Sequence, residues 1–273
     1  MLNRDNTTVY ITRSCRNNDQ YMLFLECLEH VCKYLPCFSI VVIRDNEDKD
    51  FSEYDRALSV QFINSEFKGF AQYLPFYYHL KNHPTEYMLY VHDCTLLHSW
   101  FDFEEAQKIV DTYGVYHLSL LVRDTQVTRS NVHSEPFYHM NIVQQMIPQF
   151  FPKLERFKGT IFCSQGNQCF TSWTTINKVN NEFDLFKLQD IKLDKSINMR
   201  YFRLILEYFY AECAYAVNNA KQLKLSHYLP YDTSHFYFVN RFNHLLDYKE
   251  FLPLEKEGCI SEYIYFHMYY DRK

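Results

Sequence analysis

The sequence lacks the long apolar runs and the basic tracts that mark two large classes of protein. No apolar run approaches the roughly 20 residues that a membrane-spanning helix requires. The opening stretch, MLNRDNTTVY, lacks the apolar core of a signal peptide. No basic tract is longer than a pair, and the formal net charge is −5. We therefore predict no transmembrane segment, no nucleic-acid partner and, at most, peripheral contact with a membrane.

The cysteines lack the spacing of a metal site. Nine are present, an odd number, and none forms a Cys-x-x-Cys pair. Zinc motifs and complete disulfide frameworks both need regularly paired cysteines. The pattern therefore favours reduced thiols, no structural zinc and a cytoplasmic location.

Glycine is scarce, at 5 residues, whereas Tyr and Phe are abundant, at 24 each. So many rings can build a thick core, and they also suit stacking on flat ligands such as sugars and bases. The chain is 47% apolar and 22% charged, the balance of an ordinary globular protein. Because we find no repeat, low-complexity segment or linker, the simplest prediction is one domain over residues 1–273.

Strand and helix signals alternate in the first half of the chain. They predict strands at 8–12, 38–43, 59–63, 86–91 and 116–122, and helices at 21–35, 69–82 and 103–113. Alternation with short connections predicts a Rossmann-like α/β fold, a mainly parallel sheet with helices on both faces.

The second half has a looser pattern. One short helix is predicted at 138–146 within 123–152, and irregular segments of this length are often lids or binding loops. Further predictions are a strand at 158–163 and helices at 171–180 and 198–219. A C-terminal stretch rich in aromatic residues and histidine follows.

Polar residues follow four of the predicted strands. They are Thr12-Arg13-Ser14, Arg44-Asp45-Asn46, Asn64-Ser65 and His92-Asp93-Cys94. Ligands of parallel α/β sheets bind at the carboxyl ends of the strands. Each exit alone is consistent with a solvated loop, but four in succession predict one ligand cleft.

The order of these pieces resembles nucleotide-sugar-dependent glycosyltransferases of the A-type fold. The matching segments are VYITRS, IVVIRDN, VQFINSEFKGFAQYLPFYYHL and EYMLYVHDC, with FKGTIFCSQGNQCFTSWTTINKVN as the acceptor-side strand and helix. The resemblance covers residues 7–180 and implies a nucleotide-sugar-binding half at 7–122 and an acceptor-side half at 123–273. The aromatic, Asn- and Lys-rich composition also resembles glycosyltransferases encoded by large DNA viruses.

The resemblance implies transfer of a sugar from a nucleotide-diphosphate donor to a glycan or glycoprotein acceptor, assisted by Mn²⁺ or Mg²⁺. In this family an Asp-x-Asp motif after the fourth strand binds the cation, which prefers oxygen ligands. Here HDCT keeps one carboxylate, Asp93, beside His92. His92 would either bind the cation or donate a hydrogen bond to phosphate. A late histidine, His267 or His235, would be a further ligand or an ordinary core or surface residue. A loop-capping role would explain Asp93 without a metal.

The resemblance also implies a nucleotide site and a general base. The nucleotide site would comprise Thr12, Arg13, Asp45, Asn64, Gly69, His92 and Asp93. Arg13 could equally be a surface residue, and Asp45 and Gly69 ordinary turn residues. The base that takes the proton of the acceptor hydroxyl would be Asp194, Asp190 or Glu207.

Two other functions stay open. A nucleotidyltransferase usually has a glycine- and basic-rich phosphate loop after its first strand, whereas TRSCRNNDQ contains no glycine. A binding protein that kept the fold and lost the chemistry fits the reduced Asp-x-Asp motif. Turnover of a nucleotide sugar would distinguish the glycosyltransferase from both.

Overall fold

A six-stranded sheet forms the centre of the structure. The structure is a computed structural model that describes residues 6–36, 38–45, 47, 50–93, 95–96, 103–118, 120–124, 135–157, 160–190, 199–220 and 266–267. In chain order, its strands and helices are β1 (Thr7–Arg13), α1 (Asn18–Tyr34), β2 (Ser39–Arg44), α2 (Ser52–Asp55), β3 (Gln61–Asn64), α3 (Tyr73–Asn82), β4 (Tyr87–His92), β5 (Thr95–Leu96), α4 (Phe103–Tyr113), β6 (Val115–His117), β7 (Leu120–Asp124), α5 (Glu135–Phe150), β8 (Thr160–Ser164), β9 (Cys169–Ser172), α6 (Trp173–Phe183), α7 (Met199–Val217) and β10 (Phe266–His267).

The strand order is β3-β2-β1-β4-β9-β6. The first four strands are parallel, and Thr12 lies opposite Ile43 on one side and His92 on the other. β9 runs antiparallel to both β4 and β6. The predicted α/β fold with a mainly parallel sheet is confirmed.

Helices cover both faces of the sheet because its central strands are apolar on both sides. Alternate residues of β1 divide between two cores: Tyr10 belongs to one, and Val9 and Ile11 belong to the other. α1 and α4 pack on the side of Ile11, whereas α3, α6 and α7 pack on the side of Tyr10.

Side-chain caps place the starts of two helices that flank the sheet. The side chain of Asn17 accepts a hydrogen bond from the backbone N–H of Gln20 at the start of α1. Ser172 does the same for Thr175 at the start of α6. Such caps satisfy N–H groups that have no partner within the helix.

α3 begins at Tyr73 rather than at Gly69, where the sequence predicted its start. Gly69 and Ala71 have φ angles of +79° and +34°, outside the right-handed helical region. The carboxylate of Asp45 holds this turn because it accepts hydrogen bonds from the backbone N–H groups of Gly69 and Ala71. Pro75 therefore lies in the first turn of α3, where proline is tolerated.

The predicted strand at 116–122 is in fact two strands in different sheets. β6 joins the main sheet, whereas β7 pairs with β8. β9 fills the position between β4 and β6, although the sequence predicted only a helix from residue 171. Strands of three to five residues leave too little alternation for a periodic signal.

α7 is the longest described helix, at 19 residues, and it carries four charged side chains, Arg200, Arg203, Glu207 and Glu212. No helix among the described residues is both long and apolar enough to cross a membrane. The six cysteines of the described part of the chain are free thiols: Cys15, Cys27, Cys32, Cys163, Cys169 and Cys213.

Two buried histidines make the fold sensitive to acid. His79 in α3 and His117 in β6 are 0% and 3% exposed, and burial lowers the pKa of each to about 3. In the unfolded chain the pKa returns to about 6.5. Between these two pKa values the unfolded state therefore binds more protons than the folded state. We expect each histidine to remove up to ~1.4 kcal/mol of stability per pH unit as the pH falls below about 6.5.

Urea unfolding at about pH 7, 6 and 5 measures this slope. The variant His79→Phe keeps a ring next to Tyr10 and should lower the slope by up to ~1.4 kcal/mol per pH unit. Equal slopes for His79→Phe and the wild type would contradict the prediction.

Candidate functional site

The carboxyl ends of β1, β2, β3 and β4 lie along one edge of the sheet. Parallel pairing places Arg13 opposite Arg44, Arg44 opposite Asn64, and Thr12 opposite His92. The polar exits predicted from the sequence are therefore neighbours. Their side chains differ in exposure and in whether their polar atoms already have partners. Both properties separate residues that can contact a ligand from residues that shape the edge.

Asp93 follows β4 directly and is partly exposed. Its Oδ2 atom accepts a hydrogen bond of 2.9 Å from the backbone N–H of Ser14, just beyond β1. The backbone oxygen of His92 accepts a hydrogen bond of 3.2 Å from the Cys27 thiol. These contacts join neighbouring elements at the edge and hold a carboxylate there in contact with solvent.

Cys15 and Cys27 lie near this carboxylate, but their chemistry is that of small apolar residues. Both are buried, and burial, followed by the negative charge of Asp93, raises the pKa of each thiol far above its usual range. Cysteine reacts as a thiolate, so neither residue is placed to act as a nucleophile.

Arg13 is fully buried in a cluster of charges behind the edge. Its guanidinium forms ion pairs with Glu47 and, at 2.6 Å, with Asp55. Asp55 also pairs with Arg44 at 2.5 Å and accepts a hydrogen bond from the hydroxyl of Tyr21. Burial acts to raise the pKa of Asp55, but the hydrogen bonds and charges of the two arginines outweigh it and lower the pKa.

Aromatic rings complete the surroundings of Arg13. The ring centres lie 4.9–5.7 Å from its guanidinium carbon and belong to Tyr21, Phe24, Phe51 and Phe62. Because the guanidinium is 0% exposed and each of its nitrogens already donates to Glu47 or Asp55, any contribution of Arg13 to a nucleotide site would act through its neighbours. The contact predicted from the sequence stays a prediction.

Asp45 is 1% exposed, and its two oxygens accept hydrogen bonds of 2.7 and 2.8 Å from the backbone of Gly69 and Ala71. Burial raises the pKa of Asp45, while these bonds and the charge of Arg203 oppose the rise. Gly69 allows the turn, since its φ of +79° would strain any other residue. Asp45 therefore holds residues 69–72, which we call the 69–72 loop. Its predicted contact with a base or ribose stays a prediction.

The 69–72 loop also contacts two other predicted site residues. The hydroxyl of Thr12 donates to the backbone oxygen of Ala71 at 3.3 Å, and the amide of Gln72 donates to Oε2 of Glu207 at 3.4 Å. Thr12 is buried, whereas Glu207 is partly exposed. A carboxylate in contact with solvent therefore lies beside the loop.

The other predicted residues are spread more widely. Asn64 is exposed at the end of β3, where its Oδ1 accepts a 3.0 Å hydrogen bond from Arg44. Asp190 ends a 3-10 turn, and its side chain lies outside the described residues, as do Asp194 and His235. Glu207 is the one predicted general base whose side chain the structure describes.

A second loop meets the edge at His92. Nε2 of His92 lies 3.0 Å from the backbone oxygen of Gly166; a carbonyl can only accept, so the ring donates. A Cβ at Gly166 would lie 2.7 Å from that Nε2, and the φ of Gly166 is +59°. Glycine is therefore required for the loop over 166–168, which we call the 166–168 loop, to approach the ring.

The 166–168 loop contributes two amide side chains that sequence reasoning missed. Asn167 and Gln168 are 1% and 0% exposed. Oε1 of Gln168 accepts hydrogen bonds from the backbone N–H of His92 at 3.0 Å and from the hydroxyl of Thr95 at 2.7 Å. The signal that could have found them is the isolated glycine in SQGNQC, which marks a special backbone position after a strand.

Among the described residues, no group of three or more His, Cys, Asp or Glu side chains could hold a metal ion. Asp93 and His92 are adjacent in the chain, and the pairing of β10 with β5 places the backbone of His267 opposite Thr95. The side chain of His267 lies outside the described residues. The backbone thus brings the three predicted metal ligands to one corner of the edge.

No protein-family model matches the chain, and no curated protein matches it. Among solved structures, the chain is similar to TarS 1-349 from S. aureus, with 13% identity and a TM-score of 0.39 over 77% of this chain and 55% of that chain. For the mannosyltransferase Ktr4p from S. cerevisiae, the identity is 10% and the TM-score 0.38, over 75% and 62% of the two chains. Core-mannan synthase A from Aspergillus fumigatus, in a Mn/GDP form, shows 8% identity and a TM-score of 0.35 over 77% and 65%.

This chain spans less than two thirds of each of these three chains. Other structures hold UDP or UDP-GlcNAc on TarS 1-349, or GDP on Ktr4p. The resemblance to viral enzymes rests on composition and gains no support from these proteins.

Proposed function

We propose that this protein is a glycosyltransferase that moves a sugar from a nucleotide-diphosphate donor to a glycan or glycoprotein acceptor. The observation that carries the proposal is the position of Asp93, a partly exposed carboxylate at the end of a buried parallel strand, held by the N–H of Ser14. Ligands of such sheets bind at this edge. A carboxylate there can hold a cation against a diphosphate.

The nucleotide end of the donor would lie at the exits of β1, β2 and β3. Two buried residues shape this region without reaching solvent, since Arg13 holds Asp55 and Asp45 holds the 69–72 loop. Both are positioning residues in this proposal. Asn64 is exposed and has a surface that a base or ribose could contact.

The cation would be Mn²⁺ or Mg²⁺, with Asp93, His92 and His267 as its protein ligands. The hydrogen bond from His92 to the backbone of Gly166 supports this assignment, because metal-binding histidines usually donate their second N–H to such a group. With one carboxylate, we expect weak affinity, completed by phosphate oxygens and water. When bound, the cation would stabilise the charge of the leaving diphosphate.

Glu207 is the general base that we propose, with Asp190 and Asp194 as the alternatives. The oxygen of the acceptor hydroxyl attacks the anomeric carbon of the sugar, and the bond from that carbon to the diphosphate breaks with its electron pair. The hydroxyl proton passes to the carboxylate. Gln72 supports Glu207 through its 3.4 Å hydrogen bond, next to the loop that would border the donor.

A thermal-shift screen of UDP and GDP, each with and without Mn²⁺, tests the donor site. A nucleotide at about 100 times its dissociation constant should stabilise the fold by about 2.7 kcal/mol. This corresponds to a rise in Tm of roughly 5–10 °C for a protein of this size. Because one carboxylate binds a cation weakly, the rise in Tm with nucleotide and Mn²⁺ together should exceed the sum of the rises that each produces alone. The absence of any shift with either nucleotide would contradict the proposal.

A nucleotide-sugar-binding protein without activity is the second candidate, favoured by the single carboxylate in place of Asp-x-Asp. It predicts the same thermal shifts but no turnover. An assay of the released product separates the candidates. A glycosyltransferase releases a nucleoside diphosphate, a nucleotidyltransferase releases or consumes pyrophosphate, and a binding protein releases neither.

A further inference from the structure

Two buried amide nitrogens on the 166–168 loop lack a hydrogen-bond partner among the described residues. They are Nδ2 of Asn167 and Nε2 of Gln168, on side chains that are 1% and 0% exposed. A buried polar group left unsatisfied costs about 1–3 kcal/mol. Two such groups on adjacent residues therefore need an explanation, and a ligand that binds at this loop is one.

The orientation of the Gln168 amide is determined by its neighbours. One end of the amide contacts the backbone N–H of His92, which can only donate, so that end must be the oxygen. The hydroxyl of Thr95 donates to the same oxygen. The NH2 group is consequently the end without a partner, and exchanging the two ends would place an amide N–H against the backbone N–H of His92.

The unsatisfied donor lies next to the predicted metal corner. Nε2 of Gln168 is 3.6 Å from the point that a Cβ of Gly166 would occupy, and Nε2 of His92 is 2.7 Å from the same point. Because His92 immediately precedes Asp93, the amide lies close to the end of β4.

The order of strands indicates which part of a donor would reach this loop. Along the edge, β2 and β1 come first, then β4 with Asp93, and then the start of β9, which the loop precedes. With the nucleoside at β1 and β2 and the diphosphate at Asp93, the group beyond the diphosphate lies at the loop. That group is the sugar. Its hydroxyl oxygens accept hydrogen bonds from amide N–H groups, and both are uncharged.

We propose that the amides of Asn167 and Gln168 form the sugar-recognition site of this enzyme, an inference that rests on the proposed function. They donate hydrogen bonds to hydroxyl oxygens of the transferred sugar. They make no contact with the nucleoside diphosphate. Binding of the complete donor therefore depends on them, whereas binding of the nucleotide alone does not.

The variant Asn167→Gly tests this site without straining the chain. Asn167 has a φ of +57°, a region that glycine adopts freely, so the change removes the amide and keeps the turn. Loss of one neutral hydrogen bond should weaken binding of a nucleotide sugar roughly fivefold. Affinity for UDP or GDP should stay within about twofold of the wild type.

The control is Asn219→Gly, which makes the same change at a residue with a φ of +53° beyond the end of α7. Its neighbour Asn218 lies beside Gly114, which directly precedes β6. Asn219 is therefore at the edge of the sheet opposite to the carboxyl ends of the parallel strands. Isothermal titration calorimetry with UDP, GDP, UDP-GlcNAc, UDP-glucose and GDP-mannose gives all the affinities. Asn219→Gly should match the wild type with every one of these probes.

The outcomes distinguish this inference from the proposed function. If the wild type binds none of the five probes, the proposed function fails and the inference fails with it. If it binds nucleotides, the function stands. Three results would then overturn the sugar site. First, Asn167→Gly could lose equal affinity for nucleotide and for nucleotide sugar; second, it could lose no affinity for either. Third, the wild type could bind no nucleotide sugar. Buried water on the amides would produce the second of these results.

Discussion

Asp93→Asn is expected to reduce sugar transfer roughly 100-fold or more, about 2.7 kcal/mol of activation barrier, with little change in Tm. The amide keeps the shape of the side chain and an oxygen that can accept the hydrogen bond from Ser14. It loses the negative charge that would hold a cation against the leaving diphosphate. The rate of nucleoside diphosphate release, with the donor identified by thermal shift, measures the effect.

Asp111→Asn is the matched control for this prediction. Asp111 accepts a 2.9 Å hydrogen bond from the hydroxyl of Tyr87, the first residue of β4, so it lies near the amino end of the strand that Asp93 follows. The same chemical change should leave transfer at the wild-type rate. If Asp93→Asn also transfers sugar at that rate, Asp93 only caps a loop and the active site lies elsewhere.

Asp55→Asn is expected to have the largest effect on stability, a loss of about 3–5 kcal/mol. Asp55 contacts two arginines, and the change leaves Arg13, which is 0% exposed, with one carboxylate instead of two. A buried charge that loses one of its partners is destabilised because water cannot replace the lost interaction. Since total stability is typically about 5–15 kcal/mol, chemical denaturation will resolve this change easily.

Glu66→Gln provides the comparison. It breaks an ion pair of 2.7 Å between Glu66 and Lys81, whose side chains are 52% and 47% exposed. Exposed pairs contribute about 0–1 kcal/mol because water screens them. If Asp55→Asn costs no more than Glu66→Gln, the buried cluster around Arg13 does not hold the strand exits together.

Much of the parallel half of the fold could be predicted from the sequence. β1, β2 and β4 are runs of apolar residues bounded by polar ones, and α1 and α4 show a helical period, so local pattern and final structure agree. The position of Asp93 at the end of β4 follows from the same pattern. The common edge follows too, because parallel strands with crossover helices end on the same side.

The antiparallel part could not be predicted in the same way. β9 is four residues long and passes directly into α6, and its place between β4 and β6 depends on pairing with residues far away in the chain. The predicted start of α3 at Gly69 was wrong for a similar reason. A carboxylate 24 residues earlier in the chain, Asp45, holds Gly69 out of the helix.

The sequence by itself determined the class of fold and the presence of polar groups at the strand ends, because both follow from local periodicity and the direction of the chain. Only the tertiary structure decided which of these groups is accessible. Arg13 and Asp45 read as ligand contacts, yet both are buried against partners from other elements, whereas Asp93 and Glu207 keep contact with solvent. Burial and pairing depend on neighbours distant in the chain, so periodicity, which reports on adjacent residues, carries no record of them.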